Sequence, residues 1–253
     1  DSKKVKSKET ICVLLGIANY PKIINGSLNT PINDVNSIES SLTKYKFKKI
    51  FKFKDLENKE FEDTLTNILN QYQFKEGSQF LFYFAGHGEK KFDNPAILFK
   101  DSEQGSNGIW ENAMELEAII KLINAIIKNK SEVLTKKLFI IDACNQGANI
   151  TQTNTKKIET NSKEEYSFKE INDYMRDEVN IVISSSSGNN KSPDGKGISP
   201  FCENISKVLN NNELKVYSNH ELFDEILIKD KNHYLISIGG SSDNSGRARF
   251  FLK

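Results

Sequence analysis

Two glycine-bracketed residues are the ones this sequence offers for chemistry. His87 stands in Ala85-Gly86-His87-Gly88-Glu89, and Cys144 in Asp142-Ala143-Cys144-Asn145-Gln146-Gly147. Each string closes an apolar run of strand length, residues 79–85 and 138–143. A thiol becomes an effective nucleophile when a neighbouring base takes its proton. In an open parallel sheet, ligands bind at the carboxyl ends of strands, near the point where strand order reverses. A His and a Cys past the ends of adjacent strands would face each other there. The glycines leave backbone N–H groups open to close approach. Gly88 and Cys144 are therefore the candidate donors to the oxyanion of a tetrahedral intermediate. Taken singly, a cysteine after a buried strand is a small packing residue, and Gly-His-Gly is a turn. Their conjunction points to acyl transfer.

The elements that must position this pair are legible as periodicity. Residues 10–17 form a continuous apolar run, as a strand buried on both faces does. Further strands are predicted at 48–53, 79–85, 138–143, 181–186 and 234–238. Helical spacing predicts helices at 33–45, 59–72, 115–128, 198–210 and 220–228, the first capped by Asn33 or Asp34. The alternation predicts an α/β fold with a mostly parallel sheet and helices on both faces. Two polar stretches, 145–164 and 188–197, read as loops. Trp110 reads as a loop residue that packs.

The totals exclude several classes. The chain has 253 residues, enough for one large α/β domain. Hydrophobic residues make up 37% and charged residues 27%, a globular composition. A net charge of +1 predicts no nucleic-acid partner, because phosphate binding needs concentrated basic surface. No apolar run approaches the roughly 20 residues of a membrane span, and residues 1–10 are too polar for a secretory signal. The chain does not begin with Met, which predicts a processed or excised product. Cys12, Cys144 and Cys202 lack metal-ligand spacing; free thiols predict a cytoplasmic setting, with Cys12 and Cys202 packed in the core. No phosphate-loop or dinucleotide glycine pattern follows the first strand.

The strings FYFAGHGE and FIIDACNQG resemble the two catalytic motifs of the caspase-like superfamily of cysteine peptidases. His87 precedes Cys144 by 57 residues, close to the spacing of about 50 known for caspases. Asp-x-Cys-x-x-Gly is similar to metacaspases rather than to animal caspases. The resemblance continues through CVLLGIANY, LNTPINDVNSIESSL and SSSSG…GISPF, over roughly residues 10–240. It implies a caspase-like α/β/α sandwich over residues 10–253 behind a tail of residues 1–9. Within it, 10–148 would be large-subunit-like, 149–164 a linker and 165–253 small-subunit-like.

It implies a His87–Cys144 dyad acting on peptide or protein substrates. It also places Asp34 and Asp142 in the primary specificity pocket, which would favour Arg or Lys before the scissile bond. The bland alternatives are a helix cap for Asp34 and a structural acid for Asp142. The chain departs from the metacaspase pattern at Ala85 and Pro31, where Ser and Cys are usual. No cofactor is implied: calcium serves some metacaspases, but no EF-hand-like spacing is present. The linker, with Lys156, Lys157 and Lys163, is expected to be open to self-cleavage. The alternatives are a caspase-like signalling module whose activity a sensor or partner gates, and an amidase using the same pair on a small amide.

Overall fold

The longest apolar runs become the interior strands of one sheet. The computed structural model describes residues 10–74, 77–92, 94–128, 136–143, 179–185, 197–211, 217–218, 234–237 and 251–252. In chain order the elements are β1 (Thr10–Gly16), α1 (Pro31–Leu42), β2 (Lys49–Lys54), α2 (Asn58–Asn70), β3 (Gln79–Ala85), β4 (Gly88–Lys91), β5 (Asn94–Gln104), β6 (Trp110–Glu115), α3 (Leu116–Lys128), β7 (Lys136–Asp142), β8 (Val179–Ser184), α4 (Pro200–Asn211), β9 (Tyr217–Ser218), β10 (Tyr234–Ser237) and β11 (Phe251–Leu252).

Six strands form a sheet of order β10-β8-β7-β3-β1-β2. The five from β8 to β2 are parallel, and β10 is antiparallel at the edge. The chain leaves β1 towards β2 on one side and returns to β3 on the other, so the order reverses beside β1. Gly16 pairs with Ala85, and Ala85 with Asp142. The carboxyl ends of β1, β3 and β7 are thus level with one another.

Alternation along the buried strands sorts side chains onto two faces. Cys12, Leu14, Leu81, Tyr83, Leu138 and Ile140 pack with α1 and α4. Val13, Leu15, Phe80, Phe82, Phe84, Phe139 and Ile141 pack with α2 and α3. Each such side chain contributes roughly 1.5–3 kcal/mol by leaving water. The unbroken apolar composition of these strands has this cause: both faces are covered.

The helices begin where the sequence disfavours anything else. Pro31 and Pro200 occupy first helical positions, where proline's missing N–H and fixed φ cost nothing. The first helix therefore starts at Pro31 with Thr30 as its cap residue, not at the expected Asn33 or Asp34. Asp34 lies inside the first turn. Glu57 and Glu60 form a reciprocal capping box for α2. Ser37 and Ser206 hydroxyls lie 2.9 Å apart, and Tyr45 Oη donates to Leu209 O at 3.1 Å. These bonds fasten α1 and the segment after it to α4 across 160 or more residues of sequence.

A second sheet, β4-β5-β6, is antiparallel and was not expected from periodicity. Trp110 lies on β6 rather than in a loop, half-buried and packed against the α2/α3 face. The expected helix at 220–228 lies outside the described residues, as do the loops 145–164 and 188–196. No helix among the described residues is long and apolar enough to cross a membrane.

Candidate active site

His87 sits directly past β3, between its last residue, Ala85, and the start of β4. Its ring is held from below by a buried tyrosine. Tyr20 is 1% exposed, and its hydroxyl accepts the His87 N–H at 2.7 Å. The two rings are 4.6 Å apart and tilted by 55°. Burial pushes the Tyr20 hydroxyl far above its usual range, so it stays neutral. Gly86 is required here: a Cβ on it would come within 2.5 Å of Tyr20 Oη and 2.8 Å of Phe84. Gly86 N–H also donates to Asp142 O at 3.1 Å, tying the end of β3 to the end of β7.

The imidazole has a second anchor. His87 Nε2 lies 2.7 Å from Gly26 O. A carbonyl only accepts, so Nε2 carries the hydrogen, and in the neutral ring Nδ1 is the basic nitrogen. Gly26 belongs to the β1–α1 connection, which is itself braced. Asp55 Oδ1 accepts N–H bonds from Ala18 and Asn19 at 2.8 and 2.9 Å. Leu28 N–H returns to Ala18 O at 2.9 Å, and Gly26 N–H to Ile23 O at 3.0 Å.

Cys144 lies outside the described residues. The chain leading to it is described: β7 ends at Asp142, and Ala143 is buried, its carbonyl accepting from Ser185 Oγ at 3.3 Å. Cys144 therefore follows the strand paired directly with the one that delivers His87. Gly88 opens β4 opposite Ile97. Leu98 N–H donates to His87 O at 3.0 Å, which makes Gly88–Ile97 a pair flanked by ladder bonds rather than joined by them. Gly88 N–H consequently points away from β5.

Asp34 and Asp142 come together although α1 and β7 are distant in sequence. Both carboxylates meet Ser199, the residue before α4. Ser199 N–H donates to Asp34 Oδ1 at 2.7 Å, and Ser199 Oγ–H donates to Asp142 Oδ2. Tyr83 Oη lies 3.4 Å from the same Asp142 oxygen. Asp34 is 1% exposed and Asp142 6%. Burial, and then the charge of Asp142, push Asp34 up to about 7, while hydrogen bonds from Ser199, Thr30 and Cys202 pull the other way. Cys12 and Cys202 are fully buried, and loss of solvation raises both thiols, as expected of packed cysteines. Among the described residues, no group of three or more His, Cys, Asp or Glu side chains could hold a metal ion.

Tyr20, Gly26 and Ser199 were not singled out by sequence reasoning. Tyr20 and Ser199 lie inside the strings CVLLGIANY and GISPF, which carried the resemblance without roles for single residues.

The described residues form a mostly parallel α/β sheet in which His87 is braced directly past β3 and the end of β7, the strand that precedes Cys144 in sequence, is level with it. The family comparison is in accord: the family model described as Caspase domain matches residues 9–229, and the chain belongs to that family. It is a caspase-like cysteine peptidase with the corresponding α/β fold. No curated protein matches the chain.

Proposed function

We propose that this chain is a cysteine endopeptidase that works by a His87–Cys144 dyad and cleaves after Arg or Lys. The observation that carries the reading is the 2.7 Å contact of His87 Nε2 with Gly26 O, which leaves Nδ1 as the base. In the proposed cycle, Nδ1 takes the Cys144 thiol proton and the thiolate adds to the scissile carbonyl. Gly88 and Cys144 N–H groups stabilise the oxyanion. His87 then gives its proton to the departing amine. A water, deprotonated by His87, hydrolyses the thioester and frees the carboxyl product and the thiol. A dyad suffices, because the Gly26 carbonyl orients the imidazole as a third side chain would.

The preference for a basic residue rests on the convergence of Asp34 and Asp142. Two carboxylates sharing one site favour a cation, and a guanidinium can engage them through several N–H groups at once. A second reading, a module whose peptidase activity a partner gates, draws on the depth of the same acids. At 1% and 6% exposure they are reached by a substrate side chain only after their surroundings open.

A fluorogenic panel with Arg, Lys, Asp or Leu before the cleaved bond tests both readings, run on wild type and Cys144→Ala with and without calcium. The expected result is cleavage after Arg and Lys that vanishes in the variant. Cleavage after Asp or Leu would discard the acidic pocket. Silence towards every peptide would favour the gated module.

A further inference from the structure

Ser199 makes more contacts with the acid pair than a helix cap needs. Its hydroxyl oxygen accepts the Cys202 N–H at 2.9 Å, the bond by which an N-terminal serine caps a helix. With that lone pair engaged, the hydroxyl hydrogen is directed at Asp142 Oδ2, which accepts it. The backbone N–H of the same residue is held by Asp34 Oδ1 at 2.7 Å. One residue thus binds one oxygen of each carboxylate and fixes their separation. The cap also aligns the positive end of α4, a helix of 12 residues, with both acids.

The supports behind Ser199 are specific to this arrangement. Asn33 Nδ2 donates to Gly197 O at 2.9 Å, fastening the approach to Ser199 onto the first turn of α1, where Asp34 stands. Cys202 Sγ lies 3.4 Å from Asp34 O. The start of α4, the start of α1 and the end of β7 are therefore locked through one serine. Two carboxylates brought together in a buried site repel each other unless donors hold them. Loss of the hydroxyl donor would leave Asp142 Oδ2 with the longer 3.4 Å contact to Tyr83 Oη, and would loosen its placement beside Asp34.

We propose that Ser199 is a positioning residue for substrate selection, its hydroxyl and its N–H holding Asp142 and Asp34 together so that the pair receives a basic side chain. The inference rests on the Arg/Lys reading above and deepens it. In this role Ser199 acts through the two acids, whose oxygens it binds.

The test is Ser199→Gly, with Ser199→Thr as the conservative control. Glycine is tolerated at a helix N-cap and keeps the backbone N–H, so it removes the hydroxyl bridge with little loss of the helix. Two readouts separate selection from catalysis: kcat and KM on an Arg peptide, and the rate at which iodoacetamide alkylates Cys144, followed by peptide mass. The second does not depend on the residue before the scissile bond. Ser199→Gly should lose about tenfold or more in kcat/KM on the Arg peptide, mostly through KM. Its Cys144 alkylation rate should stay within about twofold of wild type, and Ser199→Thr should restore Arg cleavage. Wild-type kinetics in Ser199→Gly, or an equal loss in alkylation, would overturn the role of Ser199 while leaving the acid pocket standing. If the wild type shows no preference for Arg or Lys, the pocket reading falls, and this inference with it.

Discussion

On the proposed reading, Asp34 is the residue at which chemistry and stability oppose each other. Its carboxyl sits at about 7 because burial and then Asp142 disfavour its charge. The unfolded chain would bind that proton only below the ordinary carboxylate range, so between about pH 4 and pH 7 the native state holds more protons. Stability must then fall as pH rises through this window. The cost is absent below about pH 4 and complete above about pH 7, on the order of a few kcal/mol. Asp34→Asn keeps an oxygen for the Ser199 N–H and removes the charge. It should raise the melting temperature at about pH 8 and flatten its dependence on pH, as followed by circular dichroism. The same variant should lose cleavage after Arg. On the proposed reading, kcat/KM for an Arg peptide in the wild type should climb as pH passes about 7, since the pocket must lose its proton to bind a cation. A melting temperature indifferent to pH would contradict the buried, raised carboxyl.

At the scale of elements, His87, the proposed base, depends on the packing under it. Tyr20→Phe removes the acceptor of the His87 N–H and leaves a partly buried donor without it. Such a loss is worth about 1–3 kcal/mol. It should lower kcat about tenfold or more with the fold retained, measured by peptide cleavage beside a thermal melt. Gly86→Ala should be worse, because a methyl there strikes the Tyr20 hydroxyl and the Phe84 ring at distances below any ordinary contact. The β1–α1 connection and the end of β3 would part, and His87 would leave Gly26. In the sheet itself, Phe82 is fully buried between Phe61 and Phe139, with ring centroids at 5.7 and 6.2 Å. Phe82→Ala should cost about 3–5 kcal/mol, read by denaturant titration. The interior strands were legible as strands because both faces are covered, so the apolar run is unbroken. The β4-β5-β6 sheet was not. β5 carries only a short apolar run, Ala96 to Phe99, its pairing with β6 slips between Leu98 and Glu103, and Phe92 turns the chain at a positive φ of 49°. Pairing, not local composition, makes those residues strands.

Over the whole molecule, the family match spans residues 9–229, and within it β3 and β7, the strands that precede His87 and Cys144, pair side by side. Parallel neighbours need a crossover connection, and β4 to α3 form it between β3 and β7. Cleavage of the chain by itself is a consequence of the proposed activity. With Lys156, Lys157 and Lys163 downstream of the nucleophile, wild type should yield two fragments where Cys144→Ala stays intact, as measured by intact mass. Equal masses would exclude self-cleavage in that stretch.

The local strings carried the sheet and the family and singled out His87 and Cys144 as the proposed dyad, since each depends on composition within about ten residues: apolar strand, glycine, nucleophile or base. Asp34 and Asp142 were also found that way, but only as two acids with competing bland roles. Their meeting on Ser199, the seat of His87 on Tyr20 and its tether to Gly26 join residues between 57 and 165 positions apart. No periodicity encodes such contacts. They follow from the reversal of strand order beside β1, which brings the carboxyl ends of β1, β3 and β7 to one edge and the starts of α1 and α4 against them.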